Sequence, residues 1–293
     1  MTRSVCQKVR NLLEMIRFSH TLFAFPFALM AVVLAARTTG ALPTAGQLLW
    51  VCLALVGART GAMACNRLID ARIDAENPRT ADRHLPAGRV ARSEALTLAV
   101  VGFLLLWLSA WRLNPLCLAL APLAIALLVS YSYCKRFTAL SHLVLGLCLG
   151  AAPVGAWIAL RGSFAWPPLV LGLAVLCWVA GFDIFYALQD EEFDRSQGLH
   201  SIPVLMGTRQ AIALAKLLHG LMIMLLSLLA MLAPLGEIYL GGVLLVAGLL
   251  VYEHRLVKPD DLTRLNTAFF TINGFISLGM FLFTLIDVAS TWS

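Results

Sequence analysis

The sequence predicts an all-α integral membrane protein of about nine transmembrane helices, built as two four-helix halves plus a ninth helix. Three observations carry that prediction. First, the 293 residues are 60% hydrophobic and only 13% charged, against about 25% charged in a soluble domain. Second, apolar runs recur at the length of about 20 residues that a spanning helix needs. The alternating pattern of a membrane barrel is absent, and a backbone in lipid must satisfy its own hydrogen bonds, so the runs are helical. Third, two acidic stretches end two of these runs and recur at the same interval, Asp70 to Asp190 and Asp74 to Asp194.

Taken in order, the first 15 residues or so form a basic amphipathic lead-in with Arg3, Lys8 and Arg10, and Arg17 just beyond. The first apolar run contains Pro26, and no small-residue cleavage site follows it, so it reads as a span and not a cleavable signal. Spans are expected at about 16–36, 47–69, 94–112, 115–133, 140–160, 168–188, 209–232, 237–252 and 267–288. Asn114-Pro115 marks one tight turn, and Gly162 with Pro167 and Pro168 marks another. Polar loops are expected at about 70–93 and 190–208, within a single polytopic domain over 1–293.

Basic residues set the orientation. Loops on the N-terminal side hold Arg72, Arg79, Arg83, Lys135, Arg136, Arg195 and Arg255, whereas the opposite loops hold only Arg37, Arg112 and Arg161. The N-terminus and both acidic stretches are therefore expected on the cytoplasmic side, in the bacterial inner membrane. The net charge of +6 belongs to these loops and is not a nucleic-acid signal. Seven cysteines are scattered without a CxxC or a Cys/His cluster, and they read as small buried hydrophobes.

The chemistry lies in the two stretches. One reads Asn66-x-x-x-Asp70-x-x-x-Asp74 and the other Tyr186-x-x-x-Asp190-x-x-x-Asp194. On a helix, positions four apart share one face, so each pair of carboxylates points the same way. Carboxylates so placed repel one another unless something offsets them. Mg²⁺ does so compactly, because it takes one or two carboxylates and completes its shell with water and substrate phosphates. Two such pairs facing each other would hold a diphosphate through metal. Arg79, Arg83, Lys135, Arg136 and Arg195 leave the same helix ends and suit phosphate. The reaction such a site supports is ionisation of an allylic diphosphate inside a helix bundle that excludes water. Tyr131, Tyr133, Tyr186 and Phe182 are candidates to face the carbocation. The nucleophile would be an electron-rich aromatic ring. If that ring carries a carboxylate, Arg17, Arg67 and the deeper Arg59 are the candidates to hold it. His20 and His142 read as interface residues.

The first stretch, continued by Arg79-Thr80-x-x-Arg83-x-Leu85-Pro86, resembles the first signature of the UbiA-type intramembrane prenyltransferases, and the second stretch resembles their second. The resemblance covers nearly the whole chain. It implies Mg²⁺-dependent transfer of a polyprenyl group onto an aromatic acceptor, with Asn66, Asp70, Asp74, Asp190 and Asp194 on the metal-diphosphate and Arg83 and Lys135 on phosphate. Phe18-Ser-His20 through Leu29, and Lys135-Arg136-Phe-Thr-x-x-Ser141-His142, are similar to two branches. One prenylates 4-hydroxybenzoate; the other prenylates 1,4-dihydroxy-6-naphthoate on the futalosine route to menaquinone. Arg67 and His84 depart from a common form of the first branch's signature.

An ion-coupled transporter is the competing class, since paired acids and a parallel repeat also occur there. A transporter would set its acids near the midplane, whereas these lie at helix ends beside basic loops.

Overall fold

The apolar runs fold as helices, and no strand occurs among the described residues. In this computed structural model the described residues are 5–16, 25–257, 265 and 271–292. Among the described residues, eight helices are long and apolar enough to cross a membrane. They are α3 (Ala45–Ile69), α5 (Arg92–Leu113), α6 (Pro115–Cys134), α7 (Ser141–Arg161), α8 (Trp166–Ala187), α11 (Thr208–Leu232), α12 (Glu237–Leu256) and α13 (Asn273–Ser290). The first expected span, about 16–36, overlaps α2 (Phe25–Thr39), which is apolar but shorter. The rest of that expected span, 17–24, lies outside the described residues.

The amphipathic lead-in is α1 (Val5–Met15). Lys8 and Arg10 are exposed on it, while Met15 and Ile16 are buried. The polar loops are not irregular throughout. They carry three short helices, α4 (Ala71–Glu76), α9 (Glu191–Ser196) and α10 (Ile202–Met206). Their polar residues make local hydrogen bonds that hold one or two turns of helix.

Turn chemistry follows the punctuation of the sequence. Asn114 Oδ1 accepts the backbone N–H of Cys117 (2.9 Å), and Pro115 opens α6. Gly162 closes α7 at φ 63°, a left-handed position that favours glycine. Pro167 and Pro168 then start α8, where no N–H is needed.

The chain packs as two units. Unit 1 comprises residues 1–21 and 48–133, and so holds most of α3 together with α1, α4, α5 and α6. Gly57 and Gly61 of α3 abut Gly102 of α5; a Cβ on Gly57 would lie 2.7 Å from the Gly102 carbonyl oxygen. Small residues let helices approach where lipid gives no hydrophobic drive. A buried cluster of Met15, Ile16, Ala64, Leu85, Val90 and Ala95 ties α1 and the loop after α4 to this pair.

Unit 2 comprises residues 22–47 and 134–293. Here α8 is central: it packs against α7, α11 and α2. Trp178 on α8 is fully buried, its ring 5.2 Å from that of Phe27 and 5.0 Å from that of Phe182. Its indole N–H donates to Asn273 Oδ1 (2.6 Å), and Asn273 in turn donates to Glu253 Oε1 (3.1 Å). A lone buried polar group would be costly, so the three are linked. Asp287 of α13 caps α12 by accepting the N–H groups of Gly236 (2.9 Å) and Tyr239 (3.2 Å). The packing units are not the two sequence halves: α2, first in the repeat, packs with α7, α8 and α13. Its buried face, from Phe27 to Ala36, finds apolar partners there.

Candidate active site

Both acidic stretches are built the same way, with one departure from a plain helix. α3 ends at Ile69, and Asp70 stands at φ −91°, ψ 3° before α4. α8 tightens into a 3₁₀ turn over Leu188–Asp190, and Asp190 stands at φ −106°, ψ 2° before α9. The expected continuous helix is thus bent at the first aspartate of each pair. The turn spacing survives in the first stretch: Asp70 N–H bonds Asn66 O (2.9 Å) and Asp74 N–H bonds Asp70 O (2.8 Å). Both aspartates occupy the sparsely populated bridge region, which recurs at functional sites.

In unit 1, Asn66 Nδ2 donates to Asp70 Oδ2 (2.7 Å). Asp74 is 5% exposed and ion-paired twice, to Arg83 Nη1 (2.6 Å) and Arg67 Nη1 (3.6 Å). The loop delivers Arg83 through a series of turns. Asn77 Oδ1 takes the Arg79 N–H (2.9 Å), Thr80 Oγ1 donates to the Asp74 carbonyl (2.9 Å), and Arg83 N–H bonds Thr80 O (2.9 Å). Asn77 and Thr80 are buried. Arg67 is also buried, and its Nε donates to the Met15 carbonyl (3.5 Å). Arg67, Arg79 and Arg83 line one cavity of about 250 Å³ with Glu14, Asp82 and His84. His84 Nε2 lies 3.2 Å from Glu14 Oε2, so α1 forms part of the rim. The guanidinium of Arg10, then the His84 ring, hold the Glu14 carboxyl below its usual range.

In unit 2, Asp190 is 5% and Asp194 2% exposed. Lys135, in the turn after α6, places Nζ 3.3 Å from Asp194 Oδ2. Its carbonyl accepts the His200 N–H (2.8 Å), which fixes that turn against the chain after α9. Arg136 is half-buried beside it. Tyr186 is half-buried on the last turn of α8, and Arg195 is exposed and paired with Glu191 (2.9 Å). Arg17 and His20 lie outside the described residues.

His142 overturns its interface reading. It is fully buried, and its Nδ1 lies 2.7 Å from Asp183 Oδ2. The Ile202 N–H donates to His142 Nε2 (3.4 Å), which leaves Nδ1 to face Asp183 as the donor. Asp183 shares its helix face with Asp190, two turns on, and its side chain remains 17% exposed. An acid inside an apolar run was the signal available in the sequence; its partner 41 residues away was not.

The oxygen donors fit a hard cation. Asp74 Oδ2 is buried and, among the described residues, accepts no hydrogen bond, with the Arg67 guanidinium 3.6 Å away. Among the described residues no three His, Cys, Asp or Glu side chains cluster closely enough to hold a metal by themselves. Carboxylates in pairs, with a substrate supplying phosphate oxygens, are the pattern Mg²⁺ takes.

The fold defines a class, the all-helical membrane proteins, and the two aspartate stretches mark its candidate site. The chain belongs to the UbiA prenyltransferase family, whose model matches residues 24–282, and it is a prenyltransferase and not an ion carrier. It is 31% identical over 238 residues to the 4-hydroxybenzoate octaprenyltransferase of Escherichia fergusonii, covering 80% of this chain and 81% of that one. It is also similar to the apo structure of a UbiA homolog from Aeropyrum pernix K1, with a TM-score of 0.83, 32% identity, and coverage of 92% and 98%. A UbiA homolog from Archaeoglobus fulgidus bound to GPP and Mg²⁺ shares the fold, with a TM-score of 0.74 at 19% identity over 95% and 99%.

Proposed function

We propose that this prenyltransferase transfers a polyprenyl group from an allylic polyprenyl diphosphate to an aromatic acid of the 4-hydroxybenzoate type, a step of respiratory quinone synthesis. The observation that carries the reading is the matched pair of aspartate stretches, each bent at its first aspartate and each with its second aspartate buried against a loop cation. The activity named for the Escherichia fergusonii relative supports the acceptor class. The GPP and Mg²⁺ bound by the Archaeoglobus fulgidus protein support the donor and the metal. The whole chain, 1–293, acts as one domain, with its N-terminus and both aspartate stretches on the cytoplasmic side of the inner membrane, as the distribution of lysine and arginine supports.

Asp70, Asp74, Asp190 and Asp194 would hold Mg²⁺, with Asn66 steadying Asp70. The metal supplies charge neutralisation for the departing diphosphate. Arg79, Arg83 and Lys135 bind phosphate oxygens. Arg67, tied to Asp74 and the Met15 carbonyl, holds Asp74 in place. Arg136 is assigned with Arg79, Arg83 and Lys135 to phosphate, Arg17 to the acceptor carboxylate, and Tyr186, one turn before Asp190, to the allylic cation. The allylic C–O bond breaks and its electron pair leaves with the diphosphate. A ring carbon then bonds the allylic carbon, and the ring must lose one proton to become aromatic again. We assign that proton to Asp183. His142 orients its carboxylate through the Nδ1–H, and the backbone of Ile202 fixes the tautomer.

The test is product formation in membranes holding the protein, given a polyprenyl diphosphate and Mg²⁺ with either 4-hydroxybenzoate or 1,4-dihydroxy-6-naphthoate. Product with the benzoate, lost with EDTA, is expected. Product with the naphthoate alone would replace the acceptor and keep the reaction. No metal-dependent product from either, with the protein inserted, would overturn the reaction.

A further inference from the structure

A second polar site lies at the opposite end of α8 from Asp190. A cavity of about 220 Å³ opens where α2 ends, beside α7, the start of α8 and the end of α11. Two donors line it. The Nη1 of Arg37 and the Nε1 of Trp157 are both buried, and neither has a hydrogen-bond partner among the described residues. Trp157 is 4% exposed, so its indole cannot turn to water. Among the described residues no carboxylate lines the cavity; the other lining is mainly apolar, with Leu34, Pro167, Leu232 and Pro234. Thr38 also borders it, but its hydroxyl already donates to the Ala35 carbonyl (2.8 Å). Pro167 and Asp190 stand at opposite ends of one helical run, about 35 Å apart at 1.5 Å per residue.

Two unpartnered N–H donors, one of them cationic, with Thr38 as the single hydroxyl among the described lining residues and no carboxylate among them, call for an oxyanion. The apolar wall and the exposed neighbours Trp166 (73%) and Met231 (79%) call for hydrocarbon beside it. We propose that this cavity binds the phosphate of an anionic membrane phospholipid, with the acyl chains lying along the apolar wall. The lipid would pin the ends of α2, α7, α8 and α11 together within unit 2, at the opposite end of α8 from Asp190.

The experiment uses the full chain in nanodiscs of phosphatidylglycerol or of phosphatidylcholine, released and read by native mass spectrometry. Wild type is expected to retain about one phosphatidylglycerol per chain and Arg37→Gln about tenfold less, as for loss of a charge-assisted contact. Trp157→Phe should show a smaller loss, and Arg37→Lys should keep most of the retention. Turnover of Arg37→Gln should stay within about twofold of wild type, since the site is remote from the chemistry. Equal retention by wild type and Arg37→Gln would overturn the site. If Arg37→Gln does not fold, Trp157→Phe against Arg37→Lys decides on the same readout. In lipid-depleted detergent, phosphatidylglycerol should raise Tm and inorganic phosphate should not. Equal protection by the two would overturn the lipid as ligand and leave free phosphate in its place.

Discussion

The two aspartate stretches share a backbone and differ in what surrounds it. Asp70 and Asp190 carry nearly the same dihedral angles, and each precedes a six-residue helix holding the second aspartate. Around the first stretch the side chains are cationic: Arg67, Arg79 and Arg83 share one cavity, and Asp74 meets two of them. Around the second, Lys135 pairs with Asp194, and a buried His142 paired with Asp183 lies two turns before Asp190. Their helices differ too: most residues of α8 are buried, whereas only Val51, Gly57, Gly61, Ala64 and Arg67 are buried in α3. A repeat can thus conserve the element that presents acid while its two copies divide the remaining work. The arginine-rich copy suits phosphate, and the copy with a histidine-oriented acid suits proton transfer.

The largest effects should come from what the copies share. Asp70→Ala and Asp190→Ala should each lower turnover by on the order of 10³-fold or more while the protein stays inserted and monodisperse. Near wild-type activity in either would mean that only one copy acts. A smaller effect should separate the copies: Asp183→Asn is expected to cost about 100-fold in turnover. With an acceptor deuterated at the reacting ring carbon, that variant should also gain a primary isotope effect that wild type lacks. A role in packing alone would slow the enzyme without the isotope effect.

The cations should divide on stability. Lys135→Met is expected to cost about 2 kcal/mol, because it strips the lysine ion pair from a carboxylate that is 2% exposed, although the lysine itself is a third exposed. Arg83→Met should cost about 1 kcal/mol, since Arg67 still faces Asp74. Thermal unfolding in detergent reads both, and the reverse order would mean that Arg67 does not stand in. The smallest effect belongs to the rim. Glu14 titrates below its ordinary 4.5 in the folded state, so its pairing with Arg10 and His84 helps above that value and is lost as pH falls through the lowered one. Glu14→Gln should change turnover at pH 7 by less than about twofold. Protease protection of α1 should fall for wild type in acid and be pH-independent in the variant.

Much of this was legible in the chain. Long apolar runs with charged ends leave a helix as their one stable form in lipid, and Asn114-Pro115 and Gly162 punctuate them as expected. The carboxylate spacing, the basic loops and Asn66 beside Asp70 are local facts, so sequence order alone reveals them. The bends at Asp70 and Asp190 were not legible, because spacing of four is the same on a straight helix as on a bent one. Nor was the pairing of Lys135 with Asp194, or of His142 with Asp183, since each joins segments many residues apart.

By itself, then, the sequence determined the class, the helices and the set of acids, because hydropathy and i, i+4 spacing act over one or two turns. Only the tertiary structure decided that α2 packs with α8, that His142 is buried, that Arg67 turns to Asp74, and that Arg37 and Trp157 share a cavity. Those outcomes depend on which apolar faces meet and which buried polar groups find partners, and both are properties of the packed chain.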